Sequence, residues 1–202
     1  MNSKYQSDVF GKKVTAIYLY VMSRKYKFYN KGGLYFVSFA TVYWIDVFVR
    51  QLYFDAVLNS FDYCRKNKGM EIYAYCIMTS HVHLIFRAKE SNPSDLMKEL
   101  KTYTSKRLQK LISDNNQESR REWLLWVMKR AGSKNSNVKN RQLWQQHNKP
   151  IELWSSAVID QKLNYIHMNP VEFGFVLEPQ HWKYSSAIDY SGGKGLIEID
   201  LV

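Results

Sequence analysis

Residues 71–87 read Glu-Ile-Tyr-Ala-Tyr-Cys-Ile-Met-Thr-Ser-His-Val-His-Leu-Ile-Phe-Arg. Two apolar, aromatic and β-branched runs, Glu71 to Met78 and His81 to Arg87, flank the short polar pair Thr79-Ser80. That pattern predicts two strands joined by a tight turn. Side chains two apart on a strand share a face, so His81 and His83 point the same way, about 6–7 Å apart at Cα. Val82 points to the other face, into a core. Two neutral imidazoles so placed can ligate one metal ion. They are equally compatible with two histidines on a solvated sheet face.

Outward from this hairpin the pattern alternates between strands and helices. Lys31-Gly32-Gly33 is a turn, and Leu34 to Val42 reads as a strand. Val47 to Lys66 reads as a helix, with Val49, Leu52, Tyr53, Ala56, Val57 and Phe61 at helical spacing and Gly69 as its cap. Ser91-Asn92-Pro93 opens a helix that runs to about Ile112. A short helix is expected from about Glu118 to Arg130, and a fourth strand over Lys149 to Leu153. The last substantial helix begins near Ser155 and is expected to stop at Asn169-Pro170, because the residue before proline avoids helical geometry. Strand, helix, strand, strand, helix, strand is the order of a ferredoxin-like, split βαβ fold. The expected class is α+β: a mainly antiparallel sheet with helices on one face, plus an additional C-terminal helix.

Ile159, Leu163 and Ile166 form one stripe of that last helix and should pack on the sheet, whereas Tyr165 and Asn169, four apart, share another face. A phenol and an amide so placed could both reach a metal held by the sheet. A core tyrosine beside a helix-stopping asparagine would look the same.

Composition bounds the partners. The 202 residues carry 29 Lys/Arg against 18 Asp/Glu, a net +11, and 46% are hydrophobic. A globular chain with that balance suggests a polyanionic partner, nucleic acid before an anionic membrane. Between Lys98 and Lys149 there are 13 Lys/Arg and 4 Asp/Glu, so +9 of the +11 falls there. The candidates for phosphate contact are Arg24, Lys25, Lys101, Lys106, Arg107, Arg120, Arg121, Lys129 and Arg130; a merely solvated face is the plain alternative. Trp123, Trp126 and Trp144 lie among these charges and could stack on bases or fill a core. The apolar run Val14 to Met22 is too short to span a bilayer and is followed by Ser23-Arg24-Lys25 rather than a cleavage site. With Cys64 and Cys76 as the two cysteines, a reducing, cytoplasmic setting and no membrane association are expected.

Taken together, these residues resemble a known family. His81-Val82-His83 looks like the His-hydrophobic-His signature of the HUH single-strand nucleases, and Met78 to His83 after an aromatic strand resembles the single-tyrosine transposases of small insertion sequences. The run Tyr165-Ile166-His167-Met168-Asn169-Pro170-Val171, with Gly174, Trp182, Ser185, Ser186 and Tyr190 beyond it, is similar to the REP-associated branch of those enzymes. The resemblance implies a catalytic Tyr165 and a metal site completed by Asn169 beside His81 and His83. It also implies Mg²⁺ or Mn²⁺ as cofactor, although an imidazole pair alone would permit Zn²⁺. It implies a single-stranded or hairpin DNA substrate, cleaved and rejoined through a 5′-phosphotyrosine. Tyr103, on the helix after the hairpin, is the rival nucleophile by position, and its stretch reads as an inward face with Leu100, Thr104 and Leu108. Residues 1–21 precede the matched region and read as an extension to a single domain over 22–202, with a basic insertion at about 113–140. A non-catalytic DNA-binding regulator derived from a transposase, or another HUH enzyme such as a replication initiator or relaxase, remains open at this point. So does a monomer or a homodimer.

Overall fold

A computed structural model describes residues 27–202; the readings placed on residues 1–21, Arg24 and Lys25 lie outside them. Four strands form one sheet: β1 (Tyr35–Ala40), β2 (Met70–Ile77), β3 (His81–Ala88) and β4 (Ile151–Glu152), in the order β2-β3-β1-β4. Every pairing is antiparallel. This is the split βαβ arrangement expected. The hairpin closes where the sequence places it, with the Met78 N–H donating to the His81 carbonyl at 2.8 Å. The fourth strand is only two residues long.

Both sheet faces are covered, which is why β2 and β3 are apolar almost throughout rather than alternating. On the first face Val37, Phe39, Tyr75, Ile77, Val82, Leu84 and Phe86 pack under α1 (Gln51–Lys68), α2 (Pro93–Asp114) and α3 (Arg121–Ser133). On the second face Phe36, Ala74, Cys76, Met78 and Ile85 pack with Ile166 of α4 (Ser156–Glu172). A register shift between Ile72 and Ala74 turns both Tyr73 and Ala74 to this second face. The helix α1 starts later than its periodicity suggests. Val47 and Phe48 are buried in the loop before it, while Val49 and Leu52 are exposed. Gly69 ends it at φ +65°, a left-handed conformation that glycine adopts without Cβ strain.

The expected stop at Asn169-Pro170 is not observed; α4 continues to Glu172 with Pro170 inside it. Proline removes one donor, but its carbonyl still accepts. The Phe175 N–H reaches the Pro170 carbonyl at 2.9 Å and the Gly174 N–H reaches Val171 at 2.9 Å. Gly174, at φ +73°, makes that six-residue closure possible and is the true stop.

The segment after α4 runs along the outer edge of β2, so the edge is not left open. Ser186 Oγ accepts from the Tyr75 N–H at 2.9 Å, the Trp182 indole donates to the Ile77 carbonyl at 3.0 Å, and the Tyr190 hydroxyl donates to the Tyr73 carbonyl at 2.9 Å. The residues that carried part of the family resemblance are thus edge-sealing residues here.

The stretch around 113–140 is packed. Leu124, Val127, Met128 and Ala131 of α3 join the first core, and Trp144 is buried against Phe39 and Phe48. Glu118, 4% exposed, ties the segment down: Arg50 Nε lies 2.7 Å from one carboxylate oxygen and Arg120 Nε 3.2 Å from the other. Burial alone would raise its pKa, but these two guanidiniums and the Arg120 N–H outweigh it and hold the carboxyl down at about 2. A carboxylate lowered from its ordinary value contributes stability above about pH 4.5 and loses it as pH falls towards 2. Glu118→Gln should therefore cost on the order of 2–3 kcal/mol at pH 7 and less than about 1 kcal/mol at pH 2.5, measured by urea denaturation. An equal cost at both pH values would show that the charge is not what matters.

Candidate active site

The second sheet face gathers the candidate residues. His81 and His83 are adjacent same-face positions on β3, with ring centroids 4.7 Å apart. Neither is on a solvated face: they are 5% and 2% exposed, because α4 lies over them. That helix supplies the rest. Its stripe of Ile159, Leu163 and Ile166 seats on the sheet as expected, with Ile166 fully buried. Seating that stripe turns Asn169 inward, 3% exposed, and brings its Oδ1 to 3.2 Å from His81 Nε2. One turn earlier, the Tyr165 ring packs edge-on against His83 (5.1 Å) and Phe36 (5.9 Å) while 40% of the residue stays exposed. The structure therefore brings His81, His83, Tyr165 and Asn169 into one cluster.

Electrostatics keep both imidazoles neutral. Burial lowers the His81 pKa, the Asn169 contact opposing it; burial and then the neighbouring His81 bring His83 down to about 3. Ser80 Oγ sits 3.3 Å from His81 Nδ1, so both nitrogens of that ring have neighbours. Neither nitrogen of His83 has a hydrogen-bond partner, although both are buried. A buried polar atom without a partner typically costs about 1–3 kcal/mol, which a fold tolerates where something else binds there. Two neutral imidazoles and an amide oxygen are a chemically suitable donor set for a divalent cation. No cluster of three or more His, Cys, Asp or Glu occurs among the described residues, so any such site depends on the amide.

The Tyr165 phenol is not pre-activated: burial, and then the charge of Glu172, raise its pKa. Lys162, which the sequence reading passed over, stands one turn before it with its ammonium 5.5 Å from the Tyr165 ring and 5.1 Å from that of Phe36. Its spacing of three from Tyr165 was the available signal. Two exposed aromatics also escaped notice: Trp44 and Phe173 lie against His81 at 5.4 and 5.9 Å.

Tyr103 falls elsewhere. It is 60% exposed on α2, which covers the opposite sheet face, while Leu100, Thr104 and Leu108 lie on the inward stripe without it. The cationic candidates divide. Lys101 is turned inward, donating to the Gln145 carbonyl (2.7 Å) and Asn148 Oδ1 (2.5 Å), with burial lowering its pKa to about 8. Arg120 is spent on Glu118 and on the Asp46 carbonyl at 2.8 Å. In the structure both serve as internal ties, with Arg120 Nη2 buried and unpaired. Arg121 donates to Asn116 at 2.8 Å and is half-buried. Lys106, Arg107, Lys129 and Arg130 are exposed, on helices of the face away from the histidines. Trp123 and Trp126 are exposed, and Trp144 is core.

With this geometry in hand, comparison with known proteins is informative. Residues 34–129 match the family model of IS200-like transposases. Within that family the similarity is to REP-associated tyrosine transposases. A Haemophilus influenzae protein named as a candidate REP-associated tyrosine transposase is 23% identical over 172 residues, covering 82% of this chain and 85% of its own length. A solved structure of a REP-associated tyrosine transposase bound to a REP hairpin superposes with a TM-score of 0.55 at 17% identity, covering 87% of this chain and 91% of that one. The second match speaks to the fold alone. Among the described residues no helix is long and apolar enough to cross a membrane.

Proposed function

We propose that this chain is a metal-assisted, single-strand DNA endonuclease and strand transferase of the HUH kind, acting on hairpin DNA through a covalent link at Tyr165. The observation that carries the reading is the His81–His83–Asn169 cluster with unpartnered His83 nitrogens, directly beneath an exposed tyrosine. His81, His83 and Asn169 would hold the cation, Mg²⁺ or Mn²⁺. Such an ion polarises the scissile phosphate and offsets developing charge. The Tyr165 oxygen attacks phosphorus and gives up its proton; the bond to the 3′-oxygen breaks, leaving a 3′-hydroxyl and a 5′-phosphotyrosine. The phosphodiester energy is kept in that link, so rejoining needs no nucleotide cofactor. Lys162 sits where it can pair with the phosphate entering beside Tyr165. The exposed Lys106, Arg107, Lys129 and Arg130 offer a second, sequence-independent surface for phosphates. The reading implies action in the cytoplasm, where such DNA is present, as monomer or homodimer.

The test is covalent capture. The full chain, incubated with end-labelled hairpin oligonucleotides and Mn²⁺, should give a slow-migrating protein–DNA species on a denaturing gel, and EDTA should prevent it. Hairpin binding without any adduct, across hairpins with varied flanks, would favour a non-catalytic DNA-binding regulator.

A further inference from the structure

Two exposed rings, Trp44 and Phe173, contact His81. Trp44 follows β1 and approaches the imidazole edge-on at 5.4 Å and 66°. Phe173 comes from the end of α4, far away in sequence, and lies at 5.9 Å and 52°. They are 58% and 61% exposed, so each leaves a large aromatic surface in water beside a buried imidazole of the site. Phe175 stacks beside Phe173, its plane within 9° at 6.4 Å, and is itself 44% exposed.

The Trp44 side is held in an unusual way. Tyr43 and Trp44 both have left-handed backbones, φ +55° and +56°, which bulky side chains rarely adopt. The buried Thr41 pins the turn: its hydroxyl donates to the Ile45 carbonyl at 2.7 Å and its N–H to the Ser80 carbonyl at 2.8 Å. Thr41 thus ties the strained turn to the residue just before His81. Strain kept in place by surrounding bonds, with the strained side chains exposed rather than packed, marks a surface maintained for a ligand.

We infer that Trp44 and Phe173, exposed rings from separate elements that each contact His81, stack on bases next to the phosphate at the site. The inference deepens the proposed function and rests on it for what lies beside the rings. Every base has a π-face, so the contact tolerates any sequence. A duplex keeps its bases stacked on one another and has none to offer these rings. Stacking on these rings therefore selects single-stranded DNA at the histidine site.

The experiment uses the full chain in EDTA, with fluorescein-labelled (dT)16 and an oligomer of equal length built from abasic residues, read by fluorescence anisotropy. Trp44→Gly removes the ring at a backbone angle glycine adopts freely, so the variant should fold. It should bind (dT)16 about tenfold more weakly and the abasic oligomer unchanged, within the range expected for losing one stacked base. Phe173→Ala should behave alike, and Trp44→Phe should restore most of the loss. Equal weakening on both oligomers, or unaltered (dT)16 affinity, would overturn the stacking assignment. Adduct formation on a hairpin with Mn²⁺ is measured in parallel. If wild type forms the adduct and Trp44→Gly binds (dT)16 normally, stacking fails while the nuclease reading stands. If the base-dependent loss appears without any wild-type adduct, the stacking surface stands and the nuclease reading fails.

Discussion

Tyr165→Phe should bind hairpin DNA within a few fold of wild type and form no covalent adduct at all. The expectation follows from what the side chain touches. Its ring makes the contacts that seat it, edge-on to His83 and Phe36 and beneath the Lys162 ammonium. None of these uses the hydroxyl, so removing it leaves packing and surface charge intact. On the proposed mechanism, by contrast, that hydroxyl is the group that forms the bond to phosphorus. Loss should therefore be complete rather than graded. Tyr103→Phe is the internal control: that residue is exposed on a helix covering the other sheet face and should leave adduct formation unchanged. An adduct that persists in Tyr165→Phe and disappears in Tyr103→Phe would reverse the assignment.

His83→Leu should move stability and activity in opposite directions. Both His83 nitrogens are buried and unpartnered, and the ring is 2% exposed. Without metal, an apolar side chain of similar size removes that cost, and unfolding in EDTA should become harder by about 1–2 kcal/mol. Adduct formation should fall by at least about a hundredfold, since one of three proposed ligands is gone. Wild type should also gain melting temperature on adding Mn²⁺, as ligand binding to the folded state requires, and His83→Leu should not. The overturning result is a variant less stable in EDTA with wild-type cleavage, which would make His83 an ordinary core residue.

Much of this site could be read from local sequence. Strand periodicity put His81 and His83 on one face, and helix periodicity put Tyr165 with Asn169 and separated them from the Ile159–Leu163–Ile166 stripe. The hairpin at Thr79-Ser80 and the order of elements needed no more than turn residues and apolar spacing. The misreadings share a cause. Pro170 reads as a stop in sequence because a proline is recognised by the donor it lacks, whereas the helix end depends on Gly174 several residues later. Lys101 and Arg120 looked like free cations because charge is visible in sequence and its partners are not; Asn148 and the Asp46 carbonyl are 47 and 74 residues away. Tyr103 fell on a helical face with Leu100 and Thr104, but a face is wider than the stripe that finally packs.

By itself, then, the sequence determined the pieces whose geometry is repeated every two or 3.6 residues: which side chains travel together on β3 and on α4. Only the tertiary structure decided that α4 covers the histidine face and not the other. It alone buried His83 without a partner and brought Trp44 and Phe173 against His81. The physical reason is that periodicity is a property of a few consecutive backbone angles. Burial, orphaned donors and facing rings arise where segments distant in the chain exclude water together, and no short stretch contains that information.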